Sequence, residues 1–243
     1  MNLPYFYEQN IQQPIFILSE ETSKHCVQVL RMKNGAQLQL TDGNGNLFSA
    51  TIINADKKNC EVQIEAVRYE QRSASNISIA ISLLKNPTRF EWFIEKATEI
   101  GITEIIPLIC EHTEKENFRF ERMNHILVSA MLQSKQSWLP KLHQPKKFNA
   151  FIKEDFDGLR LIAHCVETEK KSLLELATQN KNKLMLIGPE GDFSNAEIEL
   201  ALQQKYIPVT LGTTRLRAET AGIVAASLLC NLNIDDVFAY KKI

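Results

Sequence analysis

The stretch Lys183-Leu-Met-Leu-Ile-Gly-Pro-Glu-Gly-Asp-Phe-Ser194 decides how this chain is read. Lys183–Ile187 is a short apolar run bounded by turn residues, which reads as a strand. Ser194 with Glu197 three places on makes a capping-box pattern and opens a helix over Ser194–Lys205. Between them stands a turn in which Gly188 and Gly191 are expected to take positive φ and let the backbone approach a ligand. Pro189 stiffens that turn, and the helix behind it offers free N–H groups.

Outward from this unit the same alternation continues. Upstream, Ile77–Leu84, Glu104–Cys110 and Leu159–His164 read as strands, the second irregular or at an edge because of Pro107. Phe90–Ile100, stopped by Gly101, Phe120–Ser134 and Ser172–Thr178 read as helices. Downstream, Pro208–Leu211 is a strand, and Ala218–Leu232 is a helix apolar on most sides, hence buried. Strands alternating with helices imply an α/β fold with a parallel sheet covered by helices. The first seventy residues differ. Pro14–Leu18, Gln37–Thr41, Leu47–Ile53 and Cys60–Val67 are short strands, and Asp42-Gly-Asn-Gly45 marks a hairpin turn. A helix over Ser19–Leu30, with Val27 and Leu30 on one face and Asn34-Gly35 as its stop, interrupts them. These features predict a compact β-barrel module over 1–70, a linker over Tyr69–Asn76 and an α/β domain over 76–243.

In open parallel sheets ligands collect at the C-terminal ends of the strands. Two such ends stand out. The first is Ile187–Ser194, which fits neither the dinucleotide fingerprint nor the phosphate-binding loop. The second is Leu211-Gly-Thr-Thr-Arg-Leu-Arg-Ala-Glu-Thr-Ala221. It places Arg215, Arg217 and Glu219 just before a buried helix, where charges are costly unless paired or used by a ligand. The two loops are expected on neighbouring strands, as the walls of one pocket.

Bulk properties set limits. The chain has 243 residues and a net charge of −1, so a strongly basic nucleic-acid binder is not indicated globally. Locally, Arg122–Lys153 lacks any Asp or Glu and carries Arg122, Lys135, Lys141, Lys146, Lys147 and Lys153. Such a stretch is a solvated face or a grip for a polyanion. The five cysteines are scattered, with no Cys-x-x-Cys pair, which points to reduced thiols and to no metal site. Without a signal-like N-terminus or a long apolar run, a cytoplasmic protein with no membrane partner is expected.

Both loops resemble the C-terminal motifs of the SPOUT superfamily of RNA methyltransferases, and the chain is most similar to the ribosomal RNA small subunit methyltransferase E family. His25 with Val29-Leu30-Arg31, then Lys85, Glu91-Trp92, Lys96–Gly101 and Ile106-Pro107-Leu108, and later Gln133-Ser134 and Leu139-Pro140, carry the rest of the resemblance. The chain departs at Leu132, where Glu is usual, at Lys135-Gln136, where Gly-Arg is usual, at His112, and at Thr214.

The resemblance implies a PUA-like barrel over 1–70 that helps hold RNA, and a SPOUT domain over 76–243 with a C-terminal trefoil knot. It implies a homodimer that uses S-adenosyl-L-methionine to methylate N3 of a uridine in 16S rRNA of the small ribosomal subunit. The cofactor would be held by Ala163, His164, Ile187, Gly188, Pro189, Gly191, Leu211, Gly212, Leu216, Thr220 and Ala221. RNA would meet Lys24, His25, Arg31, Lys33, Lys85, Lys135 and Lys141. Uracil N3 carries a proton and is a poor nucleophile until it leaves. Arg217 is therefore the candidate to stabilise the developing anion, and Glu219 to orient Arg217 or take the proton. His164 reads as a pocket wall rather than a base. A SPOUT enzyme of another RNA and a non-catalytic RNA-binding assembly factor are the rival readings.

Overall fold

A computed structural model describes residues 3–72, 75–179 and 181–231. In chain order the early elements are β1 (Tyr5–Tyr7), β2 (Ile15–Ile17), α1 (Glu20–Lys24), β3 (Gln37–Thr41), β4 (Asn46–Asn54) and β5 (Glu61–Tyr69). Next come β6 (Ile77–Ser82), α2 (Pro87–Ile100), β7 (Glu104–Ile109), α3 (Phe120–Gln133), β8 (Lys141–Leu142), β9 (Lys146–Lys147) and α4 (Phe148–Phe151). The last are β10 (Leu159–Ala163), β11 (Lys171–Ser172), α5 (Leu173–Ala177), β12 (Lys183–Ile187), α6 (Asn195–Gln203), β13 (Ile207–Thr210) and α7 (Ala218–Asn231). Leu232, the expected end of the last helix, lies outside the described residues, as do Ser73 and Ala74 of the expected linker.

The chain forms two units, Met1–Arg72 with Met131–Leu139, and Ser73–Ala130 with Pro140–Ile243. The first holds a five-stranded sheet in the order β1-β3-β4-β5-β2, a half-barrel whose inward positions, among them Leu38, Leu40, Ile52 and Val62, are sealed from solvent. The helix expected over Ser19–Leu30 is shorter and irregular. Ser19 caps α1 by accepting from the Thr22 N–H. After Lys24 the chain widens into one π-helical turn, His25–Val29. That extra residue rotates the faces. Cys26 is buried, while Leu30 is exposed, and Arg31 at φ 54° ends the element before Gly35 is reached.

Met131–Leu139 is fastened to the turn between β3 and β4. The Gly45 N–H donates to the Ser137 carbonyl, the Leu139 N–H donates to the Gly43 carbonyl, and the Trp138 indole N–H donates to the Glu70 carbonyl at 2.9 Å. The two turn glycines are therefore more than hairpin residues. Both have left-handed φ, and a Cβ on Gly45 would lie 2.5 Å from the Trp138 ring. The segment begins with a Schellman ending to α3. The Gln136 N–H reaches the Met131 carbonyl, the Lys135 N–H reaches Leu132, and Lys135 sits at φ 56°.

The second unit is built on an eight-stranded parallel sheet, β11-β13-β10-β12-β6-β7-β8, with β9 also on β7. Its helices lie where the alternating pattern put them. Asn86 caps α2 with Pro87 in the first turn, and Gly101 ends it at φ 97°. Pro107 is tolerated because of where its missing N–H falls. The Leu108 carbonyl accepts from the Leu83 N–H, so Leu108 faces β6 and Pro107 faces the other way. On that side β8 pairs at Glu104–Ile105 and β9 at Leu108–Ile109, which leaves Pro107 in the gap between them.

Helix α7 packs on α2, α5, β6 and β12. A Cβ on Gly222 would lie 2.6 Å from the buried Phe93 ring, so this glycine sets how closely α7 approaches α2.

Candidate active site

Three strand ends in the second unit stop at one level. Register pairs Ala163 with Ile187 on one side and with Val209 on the other. Strand β10 therefore lies between β12 and β13, and the two loops are not on neighbouring strands as expected. The chain puts the end of β10 between them. Beyond this level the three loops enclose a cavity of about 690 Å³, within the range of small-molecule sites. Of the residues expected to hold a cofactor, Ala163, His164, Ile187, Gly188, Pro189, Leu211, Gly212, Leu216 and Ala221 line it. Gly191 and Thr220 do not. The lining also includes Cys165, Lys170, Glu190, Asp192, Thr213, Thr214, Arg215 and Arg217.

The first loop is held differently from the expectation. Gly188 and Gly191 are not at positive φ; Asp192 is, at 65°. Asp takes this conformation more readily than most residues because its short side chain bonds locally. Here the Asp192 carboxylate accepts from its neighbour Phe193 N–H at 2.8 Å and from the Cys165 N–H at 2.7 Å. It thereby ties the loop to the end of β10. Gly188 is needed for packing, since a Cβ there would lie 3.0 Å from the Phe193 nitrogen. Gly191 lies against His112, whose Nδ1 is 3.0 Å from the Asp192 carbonyl.

No residue of the helix behind this loop lines the cavity. Ser194 Oγ accepts from the Glu197 N–H, and Glu197 accepts from the Ser194 and Glu111 N–H groups. The capping box expected from the sequence is present and takes up two N–H groups at that terminus. Helix α7 supplies the helix start instead, with Leu216, Arg217, Ala218 and Ala221 on the cavity. Gly212, at φ 147°, has open space where a Cβ would stand, and Thr210 Oγ1 bonds both its N–H and its carbonyl.

His164 is buried, and neither ring nitrogen has a hydrogen-bond partner among the described residues. Burial, helped by the nearby Lys170 charge, holds its pKa below the ordinary histidine value, so the ring is neutral at neutral pH.

Arg217 and Glu219 are not brought together as one pair. Arg217 is exposed on the cavity. Glu219 is buried behind it, with Oε1 at 3.7 Å from Arg89 Nε of α2 and Oε2 without a partner among the described residues. Arg89 gave no signal in the sequence, because its meeting with Glu219 depends on the α2–α7 packing.

The residues expected to meet RNA lie in both units. In the first, Lys24, His25, Arg31, Lys33 and Lys135 are exposed. In the second, Lys85 pairs with Glu114 at 2.7 Å, and its N–H donates to Glu190 of the first cavity loop. The stretch that lacks acids in sequence meets them in space. Arg122 bonds Glu91, Lys141 and His143 approach Glu104, and Lys146 bonds Glu154. Three separate acidic partners thus divide the basic strip.

Comparison with known proteins now bears on this site. A family model of the RNA methyltransferase domain matches residues 71–230, and one of the RNA methyltransferase PUA domain matches residues 18–65. Ribosomal RNA small subunit methyltransferase E of Rickettsia conorii is 31% identical over 212 residues, 86% of each chain. This chain belongs to the ribosomal RNA small subunit methyltransferase E family.

Solved structures place the family's fold on the whole molecule. A chain from Porphyromonas gingivalis described as a probable rRNA-methyltransferase superposes with TM-score 0.90 at 37% identity, covering 96% of this chain and 100% of that one. A Legionella pneumophila protein solved in complex with the bound cofactor SAM superposes with TM-score 0.85 at 31% identity, covering 96% and 99%. Family membership makes the chain an RNA methyltransferase of mixed α/β fold with an N-terminal PUA domain.

Proposed function

We propose that the chain transfers a methyl group from S-adenosyl-L-methionine to N3 of one uridine in 16S rRNA of the small ribosomal subunit. The observation that carries this is the single cavity formed where the loops after β10, β12 and β13 converge. At about 690 Å³ it has room for a nucleoside with an amino-acid tail. The relative from Legionella holds the same cofactor, and the curated relatives act on small-subunit rRNA by name.

The donor is a sulfonium, so the chain's task is to position the reactants and ready the nucleophile. Arg217, an exposed cation of the lining, is assigned to the negative charge that develops on the uracil oxygens as N3 loses its proton. Glu219 is assigned to taking that proton or orienting Arg217, and its unpartnered Oε2 supports a role still to be filled when substrate is bound. Methyl-transfer rates at saturating cofactor should fall by about two orders of magnitude or more in Arg217→Ala and Glu219→Gln. Near wild-type rates in both would remove the assignment.

The first unit is assigned to gripping RNA through Lys24, His25, Arg31, Lys33 and Lys135, with Lys85 and Lys141 of the second unit. We further assign to the chain a C-terminal trefoil knot, a homodimeric state and a cytoplasmic location. The knot is supported by the path of the chain, which crosses β10 to form β13 and then returns through Leu211–Arg217 to pack α7 on β6 and β12. Mass mapping of modified nucleotides in 16S rRNA from cells with and without the enzyme tests the reading. Loss of one N3-methyluridine is expected, and an unchanged map would refute it.

A further inference from the structure

His164 lines the cavity that the three loops enclose. It follows β10, the strand between the two that carry the long loops, and it is buried at the cavity wall. A neutral imidazole has one N–H to give and one lone pair to fill. Neither nitrogen meets hydrogen-bond geometry with a protein group among the described residues, although the Val166 backbone and the Asp192 charge both favour a proton on the ring, and a buried nitrogen left unpaired is unfavourable. The ring is therefore poised for a polar partner that enters the cavity.

The charges around it are set. Lys170, Arg215 and Arg217 are the cations of the lining, and Glu190 and Asp192 the anions. Both anions are engaged, Asp192 with the Cys165 and Phe193 N–H groups and Glu190 with the Lys85 N–H. A proton on His164 would add a fourth cation to a cavity that must also accept a sulfonium.

We propose that His164 is the polar anchor of the cofactor and works only as a neutral imidazole, so that protonation selectively weakens binding of the sulfonium form. This rests on the reading of the cavity as an S-adenosyl-L-methionine site. The methylated cofactor carries a positive sulfur, while its demethylated product, S-adenosylhomocysteine, carries a neutral thioether of nearly the same shape. The two ligands therefore separate the charge effect from the hydrogen bond.

Calorimetric titration of both ligands into the full chain, from about pH 8 to about pH 5, tests this. For the wild type, affinity for S-adenosyl-L-methionine falls as the ring is protonated, and affinity for S-adenosylhomocysteine falls less. His164→Asn keeps polar groups that do not titrate, and the difference between the two ligands becomes independent of pH. His164→Ala loses about tenfold or more in affinity for both, with its melting temperature recorded to show that it folds. Should His164→Ala not fold, His164→Asn alone decides the matter. The inference is overturned if His164→Asn keeps the wild-type pH profile or if His164→Ala binds as the wild type does. Wild-type protein that binds neither ligand at any pH overturns the cofactor reading as well, so the two failures are distinguishable.

Discussion

Two glycines of the first unit allow one energetic term to be separated from another. Gly35 and Gly45 have nearly the same left-handed backbone, φ 86° and 87°. A Cβ at Gly35 would meet nothing within 4 Å. A Cβ at Gly45 would stand 2.5 and 2.6 Å from two carbons of the Trp138 ring and 2.9 Å from the Glu70 carbonyl oxygen. Trp138 cannot swing aside cheaply, because its indole N–H is bonded to that same carbonyl and the Arg72 guanidinium lies over its ring at 5.1 Å. Gly35→Ala should therefore cost only the left-handed backbone, about 1–2 kcal/mol. Gly45→Ala should cost that plus an overpacking term of about 1–3 kcal/mol, or roughly 2–5 kcal/mol together. Urea unfolding followed by tryptophan emission measures both, in a Trp92→Phe background so that Trp138 is the reporter. Gly45→Ala should also change the emission of the folded state. Equal losses in the two variants, within about 0.5 kcal/mol, would refute the argument that Met131–Leu139 is seated on this turn.

Other outcomes follow from the same geometry. Lys135→Gly should raise stability by about 1 kcal/mol, since it relieves a left-handed residue at a helix end; if Lys135 contacts RNA as assigned, rRNA affinity should fall while the melting temperature rises. Gly222→Ala should gain about 1 kcal/mol of helix propensity but lose more to the Phe93 clash, with weaker cofactor binding as α7 is pushed from α2. Glu104 is held below the usual carboxylate value by its hydrogen bond with His143 and by the Ser78 hydroxyl, against the opposing effect of burial. Its contribution is therefore complete above the unfolded carboxylate pKa and is lost as pH falls through the lower folded value. Glu104→Gln should flatten that acid limb in urea unfolding at graded pH, and an unchanged limb would sink the assignment. Binding of 16S rRNA fragments should weaken steeply with salt, and a flat salt dependence would remove the phosphate-gripping role of the lysines.

Much of the fold was legible because local signals agreed with the global pattern. Gly101 and the Ser194–Glu197 box end and start their helices where the sequence places them, and the short apolar runs became the buried strands. What failed were features decided by tertiary neighbours. The order of β10, β12 and β13 is not a property of any segment. The positive φ assigned to Gly188 and Gly191 fell on Asp192 because that loop is held by the Cys165 N–H. Arg122, Lys141 and Lys146 of the basic stretch meet Glu91, Glu104 and Glu154, acids that lie outside the stretch in sequence. At the site, nine of the expected cofactor residues line the cavity, while Lys170 gave no signal, Asp192 stood in the first loop without being singled out, and Glu219 turned to Arg89 rather than to Arg217.

The fastening of Met131–Leu139 to the β3–β4 turn has a consequence for the order of events at synthesis. The first unit is discontinuous in the chain. The Gly45 N–H, the Gly43 carbonyl, the Glu70 carbonyl and the Tyr5 hydroxyl each bond a group from residues 136–139. A nascent chain that has emerged as far as Arg72 holds all five strands but not the strap that closes them. Completion of the amino-terminal unit must wait until β6, α2, β7 and α3 have also left the exit tunnel. The usual sequence, in which the earlier domain is finished before the later one begins, is thus replaced by interleaved maturation of the two.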